Sequence, residues 1–255
     1  MFQKINAFKS KKSKSKIVCL TAYSKNIAQI IDKHTDLILV GDSLGSVLYN
    51  FKSTRSVTLD MMIEHSKSAR KGISNSLMVV DMPFNTYNSP SHALKNCKKV
   101  MRLTKCDGVK LEGGLKIIKI VKLLVKNKIP VMGHLGIMPQ LTKGKFKSKG
   151  KSTKEKKEII RDSKLLEGAG VFSIVLECVE KNLAKEVTKT ISIPTIGIGS
   201  SNNCDGQVLV TDDILGLTDS KIKFVKKFID TKKAISSGVK KFKKEVKSKK
   251  YPTKR

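Results

Sequence analysis

Asp42, Asp81, Lys110, Glu112, His134 and Glu177 each stand at or near the end of a short apolar run. Gly41-Asp42-Ser43 closes the second run and Asp81-Met82-Pro83 the third. Val109-Lys110-Leu111-Glu112 closes the fourth, Gly133-His134 the fifth and Leu176-Glu177-Cys178 the sixth. Carboxylates aimed at one point repel unless something neutralises them. No Cys/His cluster stands nearby, and oxygen ligands of this kind suit a hard cation, Mg²⁺ before Ca²⁺. In Val109-Lys110-Leu111-Glu112 the period of two turns Lys110 and Glu112 to one face, so an ammonium and a carboxylate project together. A single acid after a strand most simply caps the next helix or meets a surface lysine. Four acids, a lysine and a histidine at consecutive run ends point instead to a shared site.

The elements that must bring them together are legible as alternation. Eight β-branched or apolar runs recur: Ile17–Ala22, Leu37–Gly41, Leu77–Met82, Gly108–Leu111, Pro130–Gly133, Phe172–Leu176, Pro194–Gly199 and Gln207–Val210. Each is short enough to be a strand buried on both faces. Between them lie helix-like stretches. Thr58 to Gly72 opens on a threonine cap, and Ser89 to Lys105 carries Pro90 at a first-turn position. Leu115 to Lys126, Lys154 to Gly168 and Glu180 to Thr190 follow. Strand–helix alternation predicts parallel βαβ units, and eight strands at this length favour a closed (β/α)8 barrel over an open doubly wound sheet. In such a barrel the strand C-termini meet at one mouth, which is where catalytic groups gather. One barrel domain over 1–255 is expected, with extra helical segments at both termini. The tail from Lys221 reads as one or two amphipathic helices around Phe224, Val225, Phe228 and Ile229, then a frayed lysine-rich end over about 240–255.

Composition removes other classes. No run approaches the 18 apolar residues of a membrane span. The five cysteines are odd in number and never spaced CxxC, which fits a reducing compartment rather than a disulfide framework or a zinc ribbon. The first residues, basic but without arginine or an apolar core, read as the start of a soluble cytoplasmic protein. The net charge of +31 is concentrated in residues 1–31, 141–160 and 219–255 and is carried almost wholly by lysine, with five arginines in the chain. Base-edge recognition leans on arginine forks and single-strand binding on interleaved aromatics. Neither pattern is present, so no specific nucleic-acid partner is expected, and the lysines of 143–157 read as a solvated loop. Gly144 to Ser152 imitates a phosphate-binding loop but has one residue too many between its glycines. Gly197-Ile-Gly199 reads as a turn after the seventh strand. His34, His65 and His92 lie in or beside helix-like stretches and read as structural or exposed.

Eight motifs in chain order carry a resemblance. They are Leu20-Thr-Ala-Tyr23, Val40-Gly-Asp-Ser-Leu-Gly45, Val80-Asp-Met-Pro-Phe84, Val109-Lys-Leu-Glu-Gly-Gly114, Val131-Met-Gly-His-Leu-Gly136, Ile174-Val-Leu-Glu-Cys178, Ile193-Pro-Thr-Ile-Gly-Ile-Gly199 and Cys204-Asp-Gly-Gln-Val-Leu-Val210. From about residue 3 to residue 250 the chain closely resembles the ketopantoate hydroxymethyltransferases of pantothenate biosynthesis. The resemblance implies a barrel of the phosphoenolpyruvate mutase/isocitrate lyase type and a homo-oligomer, commonly a decamer. It implies transfer of a hydroxymethyl group from 5,10-methylenetetrahydrofolate to 3-methyl-2-oxobutanoate, with Mg²⁺ assisting enolate chemistry. Asp42 and Asp81 match the family's metal-binding aspartates and Glu112 its third metal-linked acid. Asp42, Ser43, Asp81 and Lys110 match the groups that hold the 2-oxo acid, and Glu177 matches the catalytic proton acceptor. His134 lies in a family motif without an assigned role. The chain departs from the family at Ser24, usually Asp, at Ser200, usually Ala, and in the lysine-rich loop Gly144 to Lys151. The loop's change bears on contacts with the cosubstrate rather than on metal chemistry.

Overall fold

A computed structural model describes residues 2–141 and 147–253. In chain order the elements are α1 (Phe2–Lys9), β1 (Ile17–Thr21), α2 (Lys25–Ile31), β2 (Leu37–Val40), α3 (Leu44–Tyr49), α4 (Leu59–Arg70), β3 (Leu77–Asp81), α5 (Pro90–Thr104), β4 (Gly108–Glu112) and α6 (Ile118–Lys126). They continue with β5 (Val131–Gly136), α7 (Thr153–Gly168), β6 (Ser173–Glu177), α8 (Lys181–Thr190), β7 (Thr195–Ile198), β8 (Gly206–Leu209), α9 (Thr211–Ile214) and α10 (Thr231–Lys247). The eight strands pair in chain order, all parallel, and β8 returns to β1, so the sheet is a closed barrel as expected.

Period-two alternation sorts the strand side chains. Ile38, Val40, Met78, Val80, Val109 and Leu111 belong to the apolar layer that also takes in helix residues such as Met62, Val100 and Leu124. Leu37, Leu39, Leu77, Val79, Met132, Val175 and Ile196 form a second cluster with Ile5 and Phe8 of α1. Phe8 meets Phe172 edge to face at 5.8 Å, so the amphipathic α1 brings apolar side chains to the strand-starting end of that cluster. The same alternation, carried one step further along β3 and β4, gives Asp81, Lys110 and Glu112.

Local chemistry starts the helices where the sequence places caps. The Thr58 hydroxyl accepts from Met61 N, and Ser89 accepts from His92 N ahead of Pro90. Ser152 caps α7 two residues before its expected start, while the Glu155 carboxylate accepts from Gly150 N and Lys151 N. His65 is structural: Nδ1 lies 2.8 Å from Tyr23 O and Nε2 2.8 Å from the Tyr49 hydroxyl.

Three placements differ from expectation. β5 runs to Gly136, because His134, Leu135 and Gly136 keep their register against Val175, Leu176 and Glu177 of β6, so His134 lies within the strand. The short helices α2 and α3, neither with a side-chain cap bond, stand in stretches with no strong helical signal. In the tail, Phe224 to Ile229 is not helical. Phe228 N and Thr231 N instead donate to Ile214 O and Leu215 O. Asp230 then caps α10, which occupies much of the stretch expected to fray. By compactness the chain divides into Met1–Leu209, the barrel, and Val210–Arg255. Lys143, Gly144, Lys145 and Phe146 of the lysine-rich loop lie outside the described residues. Among the described residues no helix is long and apolar enough to cross a membrane.

Candidate active site

The inward positions at the C-terminal ends of β2 to β6 bring the expected residues together. Asp42, one residue past Gly41 after β2, donates its backbone N–H to Asp81 Oδ2 over 3.1 Å. Asp81 ends β3, and its Oδ1 lies 3.0 Å from the Lys110 ammonium of β4. Lys110 Nζ lies 3.3 Å from His134 Nδ1. His134 is in turn 3.5 Å from Glu112 Oε1 through Nδ1 and 3.2 Å from Glu177 Oε2 through Nε2. Asp42, Asp81, Lys110, Glu112 and His134 are buried, whereas the Glu177 side chain keeps 20% exposure. Ser43 follows Asp42, and its hydroxyl lies 2.8 Å from the Tyr23 hydroxyl.

The electrostatics are those of an acid cluster with too little cation. Burial, and next the Asp81 carboxylate, push Asp42 up to about 8, against the pull of Lys110 and of a hydrogen bond from Gln140. Burial also raises Asp81 despite Lys110 beside it. Glu112 behaves oppositely. Burial opposes its ionisation, but His134, Lys110 and the Gln140 N–H hold it below the usual carboxylate range. For His134, burial and Lys110 act downward, and the carboxylates of Glu112 and Glu177 outweigh them, leaving it at about 9. It is therefore an imidazolium clamped between two acids at neutral pH. Buried Asp81 Oδ1 and His134 Nε2 face their ionic partners at angles that complete no hydrogen bond, so both retain unspent capacity.

Glycine makes the mouth narrow enough for these contacts. Gly136 has φ of +99°, and a Cβ there would stand 2.2 Å from Glu177 O. The chain beyond it is pinned by Ile137 N donating to Glu177 O and by Gln140 N donating to Glu112 Oε2. Gln140, Tyr87 and Tyr23 were not among the residues expected in the site. Gln140 carried a weak signal, a lone amide in the loop after a barrel strand. Tyr87, in Asn85-Thr-Tyr-Asn88, reads as an ordinary turn residue.

Asp42 and Asp81, both raised by burial and sharing one lysine, suit a divalent cation. Asp42, protonated near neutrality without one, would lose its proton to solvent as the cation bound. Among the described residues no three His, Cys, Asp or Glu side chains are arranged as a ready metal cage. Mg²⁺ needs none, since it commonly binds through one or two carboxylates together with water and substrate oxygens. Asp42 and Asp81 are the two candidates. Glu112 has one oxygen taken by Gln140 N and the other beside His134.

The sequence model of the ketopantoate hydroxymethyltransferase family matches residues 3–254. The chain is 64% identical over 255 residues to the 3-methyl-2-oxobutanoate hydroxymethyltransferase of Pelagibacter ubique, covering 100% of this chain and 99% of that protein. It is 47% identical to the enzyme of the same name from Anaplasma marginale (strain St. Maries), covering 99% and 92%. Among solved structures, 2,3-dimethylmalate lyase superposes with a TM-score of 0.64 at 11% identity, over 100% of this chain and 87% of that one. A phosphonopyruvate hydrolase gives 0.63 at 8% identity, over 98% and 89%. At such identities these two establish a shared fold only. The chain belongs to the ketopantoate hydroxymethyltransferase family.

Proposed function

We infer that the chain transfers a hydroxymethyl group from 5,10-methylenetetrahydrofolate to 3-methyl-2-oxobutanoate, forming 2-dehydropantoate (ketopantoate) for pantothenate synthesis. The observation that carries this reading is the convergence of Asp42, Asp81 and Lys110 opposite the His134–Glu177 pair, in a chain that matches the family from end to end. When bound at Asp42 and Asp81, with Glu112 behind them, Mg²⁺ supplies Lewis-acid stabilisation of negative charge developing on the 2-oxo acid.

The chain's own groups do the rest. Ser43, its hydroxyl fixed by Tyr23, and Lys110 hold the substrate's oxygens, the lysine adding a fixed positive charge in a buried setting. Glu177, half-buried at the mouth, removes the C3 proton. His134, with Nε2 3.2 Å from Glu177 Oε2, balances its charge. The bridging carbon's bond to one folate nitrogen opens as the resulting carbanion bonds to that carbon; water then replaces the second nitrogen to give the hydroxyl, and the C3 proton and one water proton end on the two folate nitrogens. Glu112 fixes the other side of His134, so one imidazolium links the proton acceptor to the acid cluster.

Asp81→Asn tests the metal and substrate roles together. The expected result is a Mg²⁺ requirement shifted to higher concentration with 2-oxo acid binding weakened in parallel; an unchanged metal titration contradicts the assignment. The five free cysteines, four of them buried, support residence in a reducing compartment, the cytoplasm. Assembly as a homo-oligomer, a decamer by resemblance, is supported by the apolar residues Ile235, Val239, Phe242 and Val246. They are exposed and spaced along one face of α10.

A further inference from the structure

Gln140 turns its backbone N–H and both ends of its side-chain amide to the acid cluster and its supports. It is buried to 1% exposure, four residues beyond the end of β5. Its side-chain Nε2 donates to Asp42 Oδ2 over 2.8 Å and to Met82 O over 3.0 Å. Its Oε1 accepts from the Tyr87 hydroxyl, and its backbone N–H donates to Glu112 Oε2 over 3.0 Å. One residue thus joins the chain ends that follow β2, β3 and β4 to the loop after β5.

The orientation of the amide is determined. Nε2 faces the Asp42 carboxyl and the Met82 carbonyl, and a carbonyl can only accept. Turning the amide over would set Oε1 against both and leave the Tyr87 hydroxyl facing an NH2. Tyr87 must therefore donate. Burial, and next the Glu112 carboxylate, hold its phenol far above its ordinary range, so the proton is retained. The backbone leg is fixed as well: Leu141 N donates to Met138 O, and Ile137 N to Glu177 O. Nε2 engages only one oxygen of Asp42. The other is free of any bond to this amide, and the carboxylate plane is set by a neutral donor that adds no competing charge.

We propose that Gln140, held by Tyr87, is the positioning residue for the cation-binding carboxylate of Asp42, setting the angle at which its second oxygen meets a divalent cation. The inference rests on the reading that Asp42 binds the cation. Groups that orient a metal ligand from behind commonly alter metal affinity 10–100-fold when removed. The Tyr87 hydroxyl donates to the Gln140 amide and also lies near the Glu112 backbone N–H, so its hold on the Asp42 side chain runs through the amide.

The test is Mn²⁺ binding to the substrate-free full-length protein, read from the electron paramagnetic resonance signal of free Mn²⁺. The variants are Gln140→Met, Tyr87→Phe, the double variant and Asp42→Asn. The expected result is a Mn²⁺ dissociation constant about tenfold weaker for Gln140→Met. Tyr87→Phe is expected to weaken it about threefold, and the double variant to be no weaker than Gln140→Met alone. Saturating Mg²⁺ should recover most of the turnover of Gln140→Met. Unchanged Mn²⁺ affinity in Gln140→Met, with only the melting temperature lowered, overturns the proposal, as does additive weakening in the double variant. If Gln140→Met does not fold, Tyr87→Phe decides alone, and parental affinity there overturns it. Asp42→Asn separates the two readings. Parental affinity in that variant refutes cation binding at Asp42, whereas a loss there beside unchanged Gln140→Met refutes only the positioning role.

Discussion

Replacing Lys110 with methionine keeps the volume and apolar stem of the side chain and removes its charge. The ammonium lies 3.0 Å from Asp81 Oδ1, and the two side chains are only 5% and 4% exposed. At that distance and an effective dielectric constant near 20, the pair attraction is about 5 kcal/mol. Breaking a buried pair by deleting one partner typically costs about 3–5 kcal/mol, because the other charge remains buried. For a chain of this size each kcal/mol lowers the melting temperature by about 2–4 °C, so Lys110→Met in EDTA should melt about 10 °C below the parent. Asp81 is already raised by burial and rises further without Lys110. An acid with a raised folded-state value loses stability as pH climbs above its unfolded value of about 4, so the deficit should widen with rising pH. Mg²⁺ supplies the missing charge. Because no ammonium then repels the dication, its addition should raise the melting temperature more in the variant than in the parent. Turnover should still fall about 100-fold or more, since the fixed charge at the substrate's oxygens is gone. Differential scanning calorimetry with EDTA or millimolar Mg²⁺ measures both thermal effects. A variant melting within 2 °C of the parent in EDTA, or gaining no more from Mg²⁺, refutes the view that Lys110 screens the acid cluster.

Glu177→Gln should retain Mg²⁺ and 2-oxo acid binding yet lose at least about 100-fold in turnover, measured by steady-state kinetics beside substrate titration; near-normal turnover argues against Glu177 as the proton acceptor. Gly136→Ala should lower stability by about 2 kcal/mol or more in urea unfolding and depress turnover, because a Cβ at φ +99° strikes the Glu177 carbonyl at 2.2 Å. Asp32 accepts from Ser74 N, Asn75 N, Asn75 Nδ2 and Ser76 N, and, although burial opposes it, these bonds hold its carboxyl below the ordinary value. Asp32→Asn should therefore cost about 2 kcal/mol at pH 7. The depressed folded-state value places that stability above about pH 4, so the gap between variant and parent should close as pH falls further, as acid-range denaturant titrations would register.

The barrel was legible because parallel strands buried on both faces are short apolar runs, and turn residues separate them cleanly. Lys110 and Glu112 were legible as a pair because a strand's period of two leaves no alternative once Val109 and Leu111 face the helices. Asp42 and Asp81 were visible as acids closing such runs. His134 was found at its strand but placed at its end, since the last three residues of β5, His134-Leu135-Gly136, carry one polar side chain and a glycine that hide the continued pairing. Gln140 and Tyr87 were not found. Their roles come from hydrogen bonds to partners tens of residues away, which no local pattern encodes. The helices α2 and α3 are one to two turns long and carry little periodic signal. In the tail, the apolar Phe224 to Ile229 suggested a helix, but its backbone bonds to Ile214 and Leu215, and the helix waits for the Asp230 cap.

The most direct test of the central claim is an NMR assay of the purified protein with 3-methyl-2-oxobutanoate, 5,10-methylenetetrahydrofolate and Mg²⁺, beside an EDTA-treated sample. The account predicts ketopantoate in the first tube and none in the second. Folded, Mg²⁺-bound protein that forms no ketopantoate, or product formation indifferent to EDTA, would contradict it.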